Sequence, residues 1–341
     1  MTLATKYPTI VDIYNRMDNK GSIDANIIEV LAKTNRFMMD IPWIESNLPT
    51  GHKTTIRTSL PSSTKRKINQ GVTSTKSTTR QIVDTMANFE ARSAVDLQEV
   101  KINNNKEGWR FSEDMAFIEG MNQDVMYSMI YGDEGADEAD MNGLHTRYNS
   151  LSSTYGTPGN QIIDCGGTGS DNSSIWLVGW GPNSVTGIHA PGLPAGLEYR
   201  DLGEMDAYDA SSNPFRAFVS LYKWTAGLSV RNYMNIVRLA NIDYSDIKTS
   251  GQTTDTSANL MLYMSRAIDM IHTPDAVNLV FYVNRWVMTY LRAQMLNKSN
   301  IWLNEGTYTH QITGITTPEI RFLGIPVRRC DSLSVAEARI V

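Results

Sequence analysis

The chain has 341 residues, of which 41% are hydrophobic and 20% are charged, and its formal net charge is −5. This length is typical of about two domains, and the composition is ordinary for a globular protein with a large core. The negative balance argues against a protein that binds nucleic acid over its whole surface, and it suits a surface that lies near nucleic acid without adhering to it. No apolar run approaches the roughly 18 residues of a membrane span.

Residues 1–48 predict an N-terminal arm rather than a domain. Their short helical patterns, Ile10–Met17 and Ile23–Thr34, lack the apolar residues needed to close a core. No charged stretch is followed by an apolar run, so we expect no secretory signal.

The segment Thr50–Val83 is rich in Ser and Thr and contains no Asp or Glu. Thr54–Leu60 and Thr75–Val83 favour strands, and they predict a long two-stranded hairpin without a hydrophobic face. Such a ribbon is marginal in water on its own, so it either needs a partner surface or is disordered. Its basic residues are Lys53, Arg57, Lys65, Arg66, Lys67, Lys76 and Arg80.

The segment Phe111–Gly132 predicts a long helix with the opposite charge. Ser112 is a suitable N-cap, and Gly132 is expected to end the helix. Its apolar stripe at three- and four-residue steps is Met115, Ile118, Met121, Val125 and Met129. From Ser112 to Asp140 no Lys or Arg occurs, and the acids are Glu113, Asp114, Glu119, Asp124, Asp133, Glu134, Asp137, Glu138 and Asp140. The segment 85–104 before the helix alternates at Val95, Leu97, Val100 and Ile102, which predicts a strand.

The rest of the chain predicts mixed strands and helices without the βαβ repetition of a parallel sheet, so we expect an α+β fold. We expect a loop at Gly132–Gly143 and irregular structure at Gly187–Gly196. Further predicted elements are a strand at Phe215–Trp224 closed by a turn at Thr225–Gly227, helices at Thr253–Ile271 and from Thr273 to about Asn297, and a buried strand at Glu319–Val327.

Residue patterns that could carry chemistry are weak. Gly166–Gly169 begins a phosphate-cradling pattern, but no Lys-Ser/Thr follows, so a glycine-rich loop between strands is the favoured interpretation. The acidic loop Asp133–Asp140 leaves a metal-dependent enzyme as an alternative, although it lacks the spacing of a calcium loop. We therefore expect no catalytic residue, no metal site and no cofactor.

Two further patterns have structural interpretations. Cys165 and Cys330 predict a reduced protein without a disulfide framework, with a bond between them as the alternative. The aromatic segment Phe215–Tyr233 carries interleaved basic residues, which could stack single-stranded nucleic acid but more often mark a packed strand with a solvated edge.

Three segments together resemble one family. Lys223–Asp243, Phe281–Met295 and Phe322–Val341 resemble, in that order, the central strand and turn, the long helix and the C-terminal tail of major capsid proteins from tailed double-stranded DNA phages. The likeness is greatest to the short-tailed epsilon-fifteen-like group, whose proteins have the Hong Kong 97 fold. The resemblance implies an N-terminal arm (1–48), an extended loop (49–85), a peripheral domain with a long spine helix (86–143), an axial domain (144–318), and a C-terminal strand and tail (319–341).

The resemblance also implies a function. It indicates a structural, non-enzymatic protein that assembles in the host cytoplasm into hexamers and pentamers of an icosahedral head enclosing double-stranded DNA. Expected partners are further copies of the chain and scaffolding, portal and decoration proteins, with only non-specific contact to DNA and none to membrane. In departure from the prototype, we see no long N-terminal scaffold-like segment to cleave, and therefore expect a separate scaffolding protein. The alternative of the same fold is a cargo-enclosing nanocompartment shell.

The charge pattern predicts how copies meet: the basic ribbon of one subunit lies over the acidic helix of the next. The alternative is two solvated faces of unrelated elements. The predicted contact residues are Arg57, Lys65, Arg66, Lys67, Lys76, Arg80, Glu113, Asp114, Glu119 and Asp124.

Overall fold

A mixed β-sheet and one long helix dominate the structure, a computed structural model that describes residues 36–102, 106–209, 211–249, 260–296, 303–309 and 316–341. The helices predicted at Ile10–Met17 and Ile23–Thr34 lie outside these residues. The described helices are α1 (Phe37–Asp40), α2 (Leu97–Ile102), α3 (Lys106–Tyr131), α4 (Leu144–Arg147), α5 (Tyr244–Thr249), α6 (Leu260–Asp269) and α7 (Arg285–Leu296). The described strands are β1 (Trp43–Glu45), β2 (Gly51–Ser59), β3 (Thr78–Asp96), β4 (Ile162–Asp164), β5 (Asn172–Trp180), β6 (Val185–His189), β7 (Glu198–Tyr208), β8 (Pro214–Val230), β9 (Ile236–Asp243), β10 (Asn278–Val283), β11 (Leu303–Thr309), β12 (Thr316–Phe322) and β13 (Ile325–Arg329).

The strands follow the order β11-β12-β13-β10-β5-β6-β8-β3-β2, while β7 also pairs with β8, β9 pairs with β5, β4 pairs with β9 and β1 pairs with β6. Most pairs are antiparallel, but β10 with β13, β4 with β9, β1 with β6 and β5 with β6 are parallel. This mixture of antiparallel and parallel pairs agrees with the expected α+β class.

The sheet has a hydrophobic layer on each face at its centre. Every residue of β5 is buried, because Trp176 and Val178 face the cluster that contains α3 whereas Ile175 and Leu177 face the cluster that contains α6 and α7. A strand buried on both faces is a near-continuous apolar run, which is what the segment Ile175–Val178 displays.

The long helix is present and begins earlier than predicted, at Lys106 rather than at Ser112. Ser112 therefore lies inside the helix. Lys106, Glu107 and Arg110 are good helix formers, and the single Gly108 between them costs about 1 kcal/mol without ending the helix. The predicted end is confirmed: the helix stops at Tyr131, and the Gly132 amide donates to the Ser128 carbonyl at 2.8 Å. Most of the predicted stripe is buried, and its first member, Met115, is 42% exposed.

The predicted strand over Leu97–Ile102 is wrong, because these residues form α2. The Asp96 carboxylate accepts a hydrogen bond from the Gln98 amide at 2.7 Å. An acidic side chain that caps a first turn stabilises helix over strand, and it outweighs the alternating apolar pattern.

The helix predicted from Thr273 to about Asn297 is also wrong in its first half. Pro274–Ala276 forms a single 3₁₀ turn, and β10 follows, paired with β5 and β13. The helix α7 then starts at Arg285, where the Asn284 side chain accepts from the Trp286 amide at 3.1 Å. Pairing on both edges of β10 overrides the helix-start signal of Thr273-Pro274.

Three strand boundaries differ from the predictions. The predicted turn Thr225–Gly227 continues β8, because β3 pairs with it there from Met86 to Asn88. The predicted strand Glu319–Val327 is a hairpin whose turn, Leu323-Gly324, has φ of 48° and 83° at its two central residues. The segment Gly187–Gly196 was predicted to be irregular, but its first residues are part of β6, which pairs with β1 and β8.

Candidate assembly interface

The predicted ribbon is a hairpin of β2 and the first half of β3. The strands pair in register from Gly51 opposite Thr85 to Ser59 opposite Thr78. The tip, residues 60–77, has no regular structure and is exposed except for the half-buried Ser77. Three apolar side chains of this tip lie in solvent: Leu60 is 76% exposed, Ile68 90% and Val72 56%.

All six basic contact residues of the prediction are exposed on this ribbon. Arg57 and Arg80 lie on its strands, and Lys65, Arg66, Lys67 and Lys76 lie in its tip. Among the described residues none of the six forms an ion pair within its own chain. Their cationic groups are therefore available to a partner of opposite charge.

A buried polar cluster fixes the base of the ribbon. The Asp84 carboxylate is 2% exposed and accepts from Arg147 Nη1 at 2.8 Å, Ser229 Oγ at 2.9 Å and the Val230 amide at 3.1 Å. On the facing strand, His52 Nε2 lies 2.8 Å from Arg231 Nη2, and burial together with the Arg231 charge lowers the pKa of His52. Because the base is held from both strands, the direction of the ribbon is set by the body of the protein.

The acidic contact residues of the prediction lie on α3, but they differ in their surroundings. Asp114 is half-buried near Arg110, and burial raises the pKa of its carboxyl although the Arg110 charge opposes this. Glu119 accepts from Gln123 Nε2 at 2.8 Å, and Asp124 is exposed. Glu113 lies in the part of α3 whose side-chain surroundings are not described. Asp124 is thus the best placed of the described three to meet a cation from outside.

The acidic loop after α3 uses its carboxylates to hold its own backbone. Asp133 accepts from the Gly135 amide, Asp137 from the Ala139 amide and Asp140 from the Met141 amide, at 2.8–3.0 Å.

Within the residues that the structure describes, no group of three or more His, Cys, Asp or Glu side chains is arranged to hold a metal ion. The same residues include no helix long and apolar enough to cross a membrane. Cys165 and Cys330 are both free and buried.

Comparison with known proteins identifies the family. The model of the family described as "Major capsid protein GP7" matches residues 18–341. The chain belongs to this family of phage major capsid proteins. No curated protein sequence matches the chain.

Solved structures agree with the family. The chain of the bacteriophage Epsilon15 structure is similar over 99% of this capsid protein and 98% of its own length, with 30% identity and a TM-score of 0.77. The capsid of bacteriophage JBD30 is similar over 91% of this chain and 96% of its own, with 10% identity and a TM-score of 0.50. The Hong Kong 97-type fold expected from the sequence is thereby confirmed.

One structure comes from an encapsulin rather than a phage. The SrpI encapsulin of Synechococcus elongatus is similar over 63% of this chain and 90% of its own, with 12% identity and a TM-score of 0.40. This likeness is too small to support a nanocompartment function. The family is one of shell proteins, so the role of this capsid protein is structural.

The capsid protein also contains a buried ionic network that the sequence analysis missed. Arg238 on β9 donates to Glu337 of the C-terminal tail at 2.7 Å, to Ser174 Oγ at 3.0 Å and to the Tyr148 carbonyl at 2.7 Å. The Tyr131 hydroxyl at the end of α3 donates to the same carboxylate at 2.6 Å. An Arg inside the apolar run Ile236–Ile242 was the sequence signal, because a buried charge needs a partner.

Proposed function

We propose that this major capsid protein assembles into hexamers and pentamers of an icosahedral head that encloses double-stranded DNA, and that its basic ribbon lies over the acidic helix α3 of a neighbouring copy. The observation that carries the proposal is the ribbon itself. It projects from a fixed base, ends in an unpaired tip, and has six exposed cations without an ion pair among the described residues of its own chain. The helix α3 supplies the complementary acids.

The regions of the chain have distinct roles in this proposal. Residues 1–48 act as the arm, 49–85 as the extended loop, 86–143 as the peripheral domain with α3 as its spine, 144–318 as the axial domain, and 319–341 as the returning tail. The continuity of β3 supports the division, because its first half belongs to the ribbon and its second half to the sheet on which α3 packs. Movement of the sheet would therefore be transmitted to the ribbon.

The ion pairs between the ribbon and α3 orient neighbouring copies as they associate, but they supply only part of the binding energy. An exposed ion pair contributes a few tenths to about 1 kcal/mol, and salt weakens it. Repeated over every copy of a shell, such pairs favour the correct register between neighbours. Assembly is therefore expected to slow as the salt concentration rises.

A charge-reversal experiment tests the contact. In the variant Lys65→Glu, Arg66→Glu, Lys67→Glu we expect a folded subunit that does not form shells, because the exposed tip contributes nothing to the core. Adding Glu119→Lys and Asp124→Lys restores opposite charges and should rescue assembly. Electron microscopy and sedimentation measure the shells. Normal shells from the first variant would contradict the proposed contact.

Assembly takes place in the host cytoplasm and uses further proteins. A separate scaffolding protein directs the curvature, a portal occupies one vertex, and decoration proteins bind outside, while contact with DNA is non-specific and no cofactor or catalysis is involved. An overall charge of −5 supports weak contact with packaged DNA, because an acidic subunit does not bind polyanions tightly. Co-expression with and without the other head proteins, followed by microscopy, tests this requirement.

A further inference from the structure

A basic opening lies at the base of the ribbon, between β2 and the turn that follows β8. It encloses about 570 Å³, and the described residues that line it include three cationic side chains, those of Lys53, Arg57 and Arg231, but no Asp or Glu. The Asp84 carboxylate at the base of the ribbon is 2% exposed and is already held by three donors. Cations gathered without a carboxylate create a field that attracts an anion.

Arg231 is the half-buried cation of this opening, and within the described part of the chain it forms no ion pair. Its Nη1 donates to the Pro182 carbonyl, and its Nη2 lies 2.8 Å from His52 Nε2. Its Nε is buried and has no hydrogen-bond partner among the described residues. A guanidinium binds carboxylate or phosphate through such neighbouring N–H groups.

The imidazole of His52 shows that donors outnumber acceptors around Arg231. A neutral imidazole has one acceptor nitrogen, and a guanidinium can only donate. The Asn47 amide nevertheless approaches His52 Nδ1 at 3.3 Å, while Arg231 Nη2 approaches Nε2 at 2.8 Å. One of these two N–H groups therefore has no acceptor on the ring, and an anion beside Arg231 would supply one.

Thr54 adds a second polar group without a partner. Its Oγ1 is buried and forms no hydrogen bond with the described residues. Because side chains alternate along a strand, Thr54 lies on the same face of β2 as His52, the residue that Arg231 contacts. A buried hydroxyl without a partner destabilises the subunit, whereas a bound anion would accept its hydrogen bond.

This set of donors suits a phosphate group better than a carboxylate. Phosphate oxygens can accept from a guanidinium and a hydroxyl at once, and several cations balance the charge of a phosphate ion. A carboxylate has a single charge, which one cation would balance. The opening also has room for more than a small ion, since a water molecule occupies only about 30 Å³ of liquid.

We propose that the basic opening binds a phosphate group, with Arg231 Nε and Thr54 Oγ1 donating to its oxygens and Lys53 and Arg57 adding positive charge at the rim. The phosphate is either the free ion or part of the backbone of enclosed DNA, and contact with a phosphate reads no sequence. The DNA source rests on the proposed function, whereas binding of the free ion does not.

Thermal unfolding of the unassembled full chain in sodium phosphate tests the site, because a ligand that binds only the folded state raises the melting temperature. Phosphate also stabilises proteins by exclusion from their surface, so variants are compared at equal concentrations. Arg231→Gln should weaken phosphate binding about tenfold or more, since it removes charge-assisted donors. The matched control Arg200→Gln removes an exposed arginine outside the opening and should keep the wild-type shift. Equal shifts in the wild type and in Arg231→Gln would overturn the site.

A second variant keeps the test independent of any effect of Arg231 on folding. Thr54→Val keeps the shape of the side chain but removes the hydroxyl that has no partner. In sodium chloride it should be at least as stable as the wild type, while its phosphate binding should be about fivefold weaker. A lower melting temperature in chloride, or phosphate binding equal to that of the wild type, would contradict the assignment of Thr54.

A short DNA duplex of mixed sequence and sodium acetate distinguish the sources of the anion. Competition between the duplex and phosphate that Arg231→Gln abolishes at the same salt concentration supports the site with DNA as its source. Phosphate binding without duplex binding supports the site with the free ion as its source. Equal stabilisation by acetate at the same ionic strength would indicate a carboxylate of another protein chain and overturn the proposal.

Discussion

Arg238 and Glu337 form an ion pair inside the protein: Nη2 lies 2.7 Å from Oε2, and the side chains are 0% and 3% exposed. The Arg238 guanidinium also stands over the Trp176 ring, 5.0 Å from its centroid. The amide of Glu337 donates to the Asn172 carbonyl, and the Ile340 amide donates to the Asn241 side chain. The C-terminal tail is therefore fastened to β5, β9 and the end of α3.

Removing one member of this pair should destabilise the subunit strongly. In Glu337→Ala the Arg238 charge stays buried without its partner, and we expect a loss of about 3–5 kcal/mol in the free energy of unfolding. Urea unfolding of the unassembled subunit measures it. The control Glu138→Ala removes an exposed carboxylate and should change stability by less than about 0.5 kcal/mol. Equal effects of the two substitutions would contradict this account of the tail.

The sequence predicted those parts of the fold that local pattern controls. The ribbon and α3 follow from a run of Ser, Thr and basic residues and from one apolar stripe, which neighbours along the chain define. The pair Arg238–Glu337 joins residues 99 apart, so no local pattern reports it. The helix at Leu97–Ile102 depended on one capping carboxylate, and β10 depended on pairing with distant strands.

The candidate interface likewise has one part that the sequence predicted and one part that it did not. Composition alone identified the charged surfaces, since the bases and acids are segregated along the chain. The length of the ribbon is set by the point at which β2 stops pairing with β3, Gly51 opposite Thr85, which is a property of strand register.

The ion pair at the base of the ribbon should contribute more to the free energy of unfolding than an ion pair on the surface. Asp84→Asn keeps the shape but removes the charge that Arg147 meets at 2.8 Å, so we expect a loss of about 1–3 kcal/mol. Glu90→Gln is the matched control, because Glu90 pairs with Lys223 at 2.7 Å while both side chains are largely exposed. Its expected cost is below about 1 kcal/mol. Thermal unfolding compares the two, and a larger effect from Glu90→Gln would refute the assignment.

His145 should make the subunit sensitive to acid. Burial lowers the pKa of this imidazole from its usual 6.5, the Arg238 charge lowers it further, and Glu337 opposes the change. The unfolded chain therefore binds a proton more readily than the folded one as the pH falls below about 6.5, and stability declines over that window. In His145→Gln the imidazole is absent, so its pH-dependent contribution to stability disappears. The difference in unfolding free energy between the two proteins, measured from pH 8 to pH 5, should change only below about pH 6.5, and a constant difference would exclude the effect.

Two glycines associated with α3 should respond to alanine with opposite signs. At Gly132 a Cβ would lie 2.3 Å from the Met141 carbonyl oxygen and 2.4 Å from that of Ser128, so Gly132→Ala forces the chain apart where the helix ends. Overpacking of this kind costs about 1–3 kcal/mol. At Gly120 a Cβ meets nothing within 4 Å, and alanine should stabilise the unassembled subunit by about 0.5–1 kcal/mol. Urea unfolding of both variants measures the two signs. Destabilisation by Gly120→Ala would mean that the subunit itself needs this glycine.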